Sequence, residues 1–429
     1  MTTPCEGLLE LAVGPVAHGG HCVARHAGRV VFVRHALPGE RVLARVTEGT
    51  EGDRFWRADA VEVLEPSPDR VRPPCPFAGP GRCGGCDWQH AAPAAQRRLK
   101  ADVVAEQLRR LAGLDVDVVV EPVGGPGADV ETGMGWRTRV QLAATPDGRL
   151  GFRRHRSHDV QVVDDCLIAS PRVRELGVPA ASWPGTSAVE VVASAAGEDR
   201  LVLVTPDRQG RRPRVPRLDA GTSVALTGSG GLERLRGRTW VAETVDLPGG
   251  PRTFRVTGSG FWQVHPGAPA ALAGAVHEAL APRPRERAVD LYAGAGLFAV
   301  ALAQAVGADG EVLAVEGDAR AAADARRNVH DLPQVTVRHA RVGPDLGGAT
   351  SADVVVLDPP RTGARRPVVD AVARLRPRAV AYVACDPASL ARDVAYFAAA
   401  GYRLAGLRAF DLFPQTHHVE CVAHLAPAS

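Results

Sequence analysis

The sequence is almost devoid of lysine. Among its 51 basic residues Lys100 is the single Lys, and the rest are Arg. With abundant Ala and Gly this reflects a GC-rich genome more than a function, although Arg carries fork-shaped donors suited to phosphate. Overall charge of one sign is also scarce, +3 over 429 residues, so no general basic field announces a nucleic-acid partner. Long apolar runs are absent. The most membrane-like stretch, 288–308, is broken by Asp290, Gln304 and glycines, which excludes a membrane span in favour of a buried strand–turn–helix. MTTPCEGLLELAVGP at the start lacks the basic lead and apolar run of a secretory signal. The chain therefore reads as cytoplasmic, with no membrane partner and as a monomer. Eight Cys are too sparse for a disulfide scaffold, and their uneven spacing points to a metal site or to catalysis. No internal repeat is present.

What remains is an ordinary globular composition, 45% hydrophobic and 23% charged, which rules out a disordered or collagen-like chain. At roughly 100 to 200 residues per domain the length suits two to four domains. Residues 1–65 read as a small β-barrel: GRVVFV and RVLARV flank the turn ALPGE, and alternation is punctuated by Gly and Pro. Residues 66–255 read as a central β-rich domain. It opens with a Pro/Gly-dense segment, PSPDRVRPPCPFAGPGRCGGC, and a helix over 92–111, then continues as strands and Arg-bearing loops. From 256 to 429 strands alternate with helices, which implies an α/β unit with a doubly wound parallel sheet.

Three signals in that last unit point to a cofactor. Asp290-Leu-Tyr-Ala-Gly294-Ala-Gly296 closes the first strand with a Gly turn that lets backbone approach a ligand at a helix N-terminus. Glu316 ends the next strand, where a carboxylate can accept hydrogen bonds from a ribose diol. Asp358, in VVVLDPPR, lies at the carboxyl edge of the sheet, where α/β folds bind ligands. Cys385, in AYVACDPASLARD, stands between a strand and a helix N-terminus, whose dipole favours a thiolate. Cys75, Cys83 and Cys86 form C-x7-C-x2-C, with Cys166 a distant fourth. Four thiolates suit either zinc or an iron–sulfur cluster, and spacing alone does not choose.

DxxxGxG, a strand-end Glu and DPP together resemble the class I (Rossmann-like) S-adenosylmethionine methyltransferases. FWQVHP, DLYAGAGLF, AVEGD, LDPPRTG, YVACDPASLARD and DLFPQTHHVE more specifically resemble the RNA 5-methyluridine methyltransferases, in that family's order. The resemblance implies methylation of uracil C5 in RNA. Cys385 would be the nucleophile and Glu420 the base, while Gln263, Tyr292, Glu316 and Asp358 would bind S-adenosylmethionine. CGGCDWQH with the later DDCLI resembles the knuckle of members that hold a [4Fe-4S] cluster, which would assign Cys75, Cys83, Cys86 and Cys166 to iron–sulfur ligation, with zinc the alternative. The first 65 residues resemble the TRAM domain, an RNA-binding β-barrel. Barrel and knuckle together favour 23S ribosomal RNA over transfer RNA as substrate. A non-catalytic RNA-binding assembly factor is the reading from another class, and intact Cys385 and Glu420 oppose it.

The sequence departs from the family pattern at Asp386, where Asn is usual, at His265 and Trp262 in FWQVHP, and at Leu297. RNA would be gripped locally. From Arg137 to His158 there are six Arg against the single acid Asp147, and a second Arg run spans 207–217. Phe55 and Trp56 are candidates for stacking on bases, with Phe32 assigned to the barrel core, and the pair Phe261–Trp262 for stacking on the target base or filling its place.

Overall fold

The computed structural model describes residues 7–208 and 212–428. Cys5 and Arg211, the latter within the second Arg run, lie outside the described residues.

Five strands, β1 (Leu8–Val16), β2 (Cys22–His26), β3 (Arg29–Arg34), β4 (Arg41–Glu48) and β5 (Phe55–Glu65), close into a barrel in the order β1-β2-β3-β5-β4. In β4, Val42, Ala44 and Val46 are buried while Arg41 and Arg45 face water, the period-two alternation of a one-sided strand. Closure removes the free edges of the sheet. The barrel core also takes in Trp88, Leu99 and Val103 from beyond it.

Leu99 and Val103 belong to α1 (Pro93–Gln107), which starts with Pro at its first helical position. Val104 of the same helix and Leu108, just past its end, pack into a C-terminal core instead. α1 is therefore a shared wall between the barrel and the C-terminal unit. After it, β6 (Val120–Pro122) crosses to the C-terminal sheet and pairs with its edge.

The central strands β7 (Arg139–Ala144), β8 (Leu150–Arg153), β9 (Val160–Val162), β10 (Thr186–Ala193), β11 (Arg200–Pro206), β12 (Thr222–Gly228) and β13 (Gly231–Arg236) form one seven-stranded sheet, ordered β13-β12-β11-β10-β7-β8-β9. A hairpin, β14 (Trp240–Leu247) and β15 (Gly250–Thr257), follows. Its Val241, Val245, Phe254 and Val256 enter the same core as the C-terminal α/β unit.

That unit comprises α2 (Ala268–Leu280), β16 (Arg287–Leu291), α3 (Leu297–Val306), β17 (Glu311–Glu316), α4 (Ala319–Asn328), β18 (Val335–His339), β19 (Val354–Leu357), α5 (Arg365–Arg374), β20 (Ala379–Ala384), α6 (Pro387–Ala399), β21 (Tyr402–Asp411) and β22 (Glu420–Pro427). The eight-stranded sheet runs β18-β17-β16-β19-β20-β22-β21-β6. β16 to β20 are mutually parallel, and β22 is inserted antiparallel between β20 and β21. VVVL in β19 and AVAYVA in β20 are buried at every position, as strands covered by helices on both faces must be. The order reverses beside β16, so the crevice at the carboxyl ends of β16 and β19 is the topological switch point. Among the described residues no helix is long and apolar enough to cross a membrane.

Candidate active site

Cys385 and Glu420 are brought together by strand register. β20 and β22 pair antiparallel from Val380 with Leu425 to Ala384 with Cys421. Cys385 and Glu420 flank that last pair, and the Glu420 carboxylate acts on the Cys385 thiol. Asp358, one residue past β19 and half-buried, lies at the same edge. Burial pushes the Cys385 thiol up to about 12, with the Glu420 and Asp358 carboxylates adding to the rise and Arg361 opposing it. Burial and Asp358 likewise hold Glu420 well above the usual carboxylate range, again against Arg361. Burial takes Asp358 to about 7. Arg361 is the cation that acts on both Cys385 and Glu420. It follows the acid in the contiguous string DPPR, a signal that was legible in the sequence.

Further along the sheet edge the turn after β16 is built for close approach. Gly294 and Gly296 adopt φ of +55° and +92°, and even Tyr292 sits at φ +65°, a conformation that L side chains rarely take. The Glu316 carboxylate is already oriented, accepting from the Gly294 N–H at 2.8 Å and from the Asp318 N–H at 2.6 Å. Each oxygen keeps a free lone pair for a hydroxyl. Asp290 is fully buried beside them. Burial, with Asp358 and Glu316 nearby, pushes it up to about 8 against the Ala299 amide. Gln263 is half-buried on the loop after β15. Two groups pin that loop: the Thr138 N–H donates to the Val264 carbonyl at 2.9 Å, and the Arg139 guanidinium to the Gly260 carbonyl at 2.6 Å.

The opening above Cys385 has walls from three parts of the chain. His18, Gly19 and Gly20 come from the barrel, Trp88 from the knuckle, and Arg361, Asp386, His417 and His418 from the α/β unit. The Trp88 indole N–H donates to the Gly20 carbonyl at 3.0 Å, and the Asp87 carboxylate holds His417 Nδ1 at 2.6 Å. Among these, Asp386 had been noted only as a departure. His18, Trp88, His417 and His418 had no assigned role, since nothing in local pattern links a barrel loop to a strand end some 370 residues away.

The aromatic pair is split by the fold. Trp262 is buried against Phe254, with ring centroids 5.3 Å apart, so it is core, while Phe261 is 70% exposed. The barrel aromatics also differ from expectation. Trp56 is buried and its indole N–H donates to the Thr50 carbonyl. Phe32 is only half-buried and meets the exposed Phe55 edge to face. His265 is packed on Trp136, and burial lowers it to about 4. It is a neutral core side chain.

Cys75, Cys83, Cys86 and Cys166 line a single cavity of about 230 Å³, more than tenfold the roughly 10–15 Å³ that one water requires. Gln89 accepts from the Cys75 N–H at 3.1 Å, and the Gly84 N–H donates to the Arg153 carbonyl at 3.0 Å, which seats the knuckle on the Arg-rich hairpin. Among the described residues no three Cys, His, Asp or Glu side chains stand close enough together to hold one metal ion.

Comparison with known proteins agrees with this architecture. The TRAM domain family matches residues 9–61, and the family described as tRNA (Uracil-5-)-methyltransferase matches residues 345–427. An uncharacterised RNA methyltransferase of Streptomyces coelicolor is 54% identical over 98% of this chain and 93% of its own. The 23S rRNA (uracil(1939)-C(5))-methyltransferase RlmD of a Shewanella species, strain ANA-3, is 32% identical over 96% of this chain and 94% of its own. The tRNA (uracil-54, C5)-methyltransferase of Pyrococcus abyssi, solved with S-adenosyl-L-homocysteine, shares the fold, with a TM-score of 0.70 at 22% identity over 97% of this chain and all of that one. The chain belongs to the RNA uracil-5-methyltransferase family and carries a TRAM domain at its N-terminal end.

Proposed function

We propose that the enzyme transfers a methyl group from S-adenosylmethionine to C5 of a uracil in RNA through a covalent adduct with Cys385. The observation that carries this reading is that Cys385 and Glu420 flank the Ala384–Cys421 pair of β20 and β22, close enough for the carboxylate to act on the thiol. Uracil C5 is a poor nucleophile toward a sulfonium methyl. Addition of the Cys385 thiolate to C6 moves electron density to C5, which then attacks the methyl carbon, and S-adenosylhomocysteine departs. Glu420 takes the C5 proton, the C6–S bond breaks, and the thiolate leaves with its electron pair. One side chain supplies covalent catalysis and the other acid–base catalysis.

The electrostatics support S-adenosylmethionine as the methyl donor. Asp290, Asp358 and Glu420 crowd one edge, each raised by burial. The ammonium and sulfonium of the donor supply the positive charge that would let these acids ionise. Glu316 would take the ribose diol, Gln263 and Tyr292 would line the donor site, and Asp358 would face its charged end. Burial and the neighbouring carboxylates disfavour the Cys385 thiolate in the free enzyme even with Arg361 beside it. The bound sulfonium would add positive charge and lower the thiol for the reaction.

We infer that Cys75, Cys83, Cys86 and Cys166 hold a [4Fe-4S] cluster. The donor set fits, since all four thiols line one cavity with room for more than a single ion. The cluster would supply a brace between the knuckle and the hairpin, without redox chemistry. Iron and acid-labile sulfide after anaerobic purification support this; a colourless protein with stoichiometric zinc overturns it. The substrate we favour is 23S ribosomal RNA, acted on by a cytoplasmic monomer, in line with the RlmD relative.

RNA carrying 5-fluorouridine tests the mechanism, because fluorine cannot be removed from C5 as the proton is. The expected product is a stable protein–RNA adduct mapped by mass spectrometry to Cys385, absent in Cys385→Ala. Methylation by Cys385→Ala would sink the mechanism. Labelled donor with unmodified ribosomal or transfer RNA separates the two substrates, and product on neither would favour the binding-factor reading.

A further inference from the structure

The nucleophile position carries an apparent handicap. Asp386 directly follows Cys385, and its carboxylate is among the charges that disfavour the thiolate. The same carboxylate does local work. Asp386 is the N-cap of α6, and its Oδ1 accepts from the Ser389 N–H at 2.8 Å, the geometry that satisfies an otherwise orphaned helix amide. Its other oxygen, Oδ2, lies 2.9 Å from His18 Nε2. His18 comes from the loop between β1 and β2, and that loop is fastened over the opening. Trp88 donates to the Gly20 carbonyl, and a Cβ on Gly20 would stand 2.5 Å from the His417 Cβ.

We propose that His18 of the barrel is a positioning residue for the methyl-transfer site, holding and neutralising Asp386 so that it caps α6 without opposing the Cys385 thiolate. The barrel then completes the active site as well as offering a surface to RNA. The inference rests on Cys385 being the nucleophile.

The surrounding charges are consistent. The hydrogen bond to Asp386 raises the His18 pKa against burial, and Glu106 of α1 adds to it. Burial opposes ionisation of Asp386, yet the His18 contact, with the Ser389 hydrogen bonds, brings it down to about 2. The other groups facing the pair are Arg361, His417 and His418 across the opening, with Glu420 and Asp358 behind Cys385. The imidazolium is present below the His18 pKa and lost above it, so Asp386 becomes an uncompensated charge as pH rises.

The test is a double-mutant cycle in the full-length enzyme: His18→Ala, Asp386→Asn and the pair, assayed for kcat and KM from pH 6 to 9. Asn caps helices about as well as Asp, so α6 is retained. His18→Ala is expected to lower kcat about ten- to hundredfold, the fall in thiolate population that an uncompensated neighbouring charge produces, with donor affinity and melting temperature unchanged. In the Asp386→Asn background the same change is expected to matter about threefold or less. The ratio of wild-type to Asp386→Asn activity should fall as pH rises through the His18 pKa. Additive effects, or a harmless His18→Ala, overturn the inference. Turnover that survives Cys385→Ser would overturn the reading of the site itself, so the two failures are separable.

Discussion

The only lysine in the chain is a built-in probe of the loop that leads to Glu420. Lys100 is completely buried in α1, with Nζ 2.5 Å from Asp411 Oδ1 and 3.1 Å from the Phe413 carbonyl. Burial pulls the ammonium below the usual lysine range, and Asp411 counteracts it. To meet a reagent, Lys100 must leave both partners and open the junction between α1 and residues 411–419. Breaking a buried ion pair by removing one partner destabilises by about 3–5 kcal/mol. At 1.4 kcal/mol per factor of ten, an opening that sacrifices this pair slows labelling about a hundred- to several-thousandfold. An amine-reactive ester followed by peptide mass spectrometry reads that rate against a free lysine derivative. Lys100→Met leaves Asp411 buried alone and should lower unfolding free energy by about 3–5 kcal/mol in urea titrations. Lys100→Met with Asp411→Asn removes the stranded charge and should recover most of it. Acylation of native Lys100 at the free rate, or a Lys100→Met variant within about 1 kcal/mol of wild type, would refute the reasoning.

Three further outcomes follow from the geometry. Gly20→Ala places a methyl against His417 at a φ of +80° and should lower kcat/KM about tenfold by lifting the barrel loop from the opening, while calorimetry of the remaining fold is nearly unchanged. Asp358 has a folded pKa of about 7, above its unfolded value. The folded state therefore holds the extra proton, and this contribution to stability is lost as pH rises toward and through 7. As pH rises from about 5 to 8, the apo enzyme should therefore lose stability relative to Asp358→Asn; equal slopes for the two proteins by denaturant titration would contradict it. Gly84→Ala would set a Cβ 2.7 Å from the His155 backbone nitrogen and 3.0 Å from the Arg153 carbonyl, so iron per protein should fall as the knuckle is pushed off the hairpin. Unchanged iron content would count against the brace.

Much of the α/β unit was legible because its signals are local. Continuous apolar strings such as VVVL, bounded by turn residues, suit strands covered on both faces, and the Gly turn and the Glu316 strand end are local patterns at the edge of the sheet. The barrel was legible from alternation. Side-chain environment was harder to read. Phe261 and Trp262 are adjacent and chemically alike, yet one faces solvent and the other fills the core under β15. The four cysteines were grouped by resemblance to a family pattern, and their convergence on one cavity depends on the hairpin that returns Cys166 to the knuckle.

The sequence by itself determined the elements, their order and the residue types at the sheet edge, because periodicity, Gly turns and helix caps act over a few residues. Tertiary structure alone decided which of those residues meet. Cys385 and Glu420 come together beside the Ala384–Cys421 pair of β20 with β22. His18 reaches Asp386 across a junction where α1 packs against both the barrel core and the α/β core. Burial then raises Asp358, Glu420 and Cys385 together. Charge interactions and desolvation depend on distance in space, and that distance is set by the packing of whole cores rather than by neighbours along the chain.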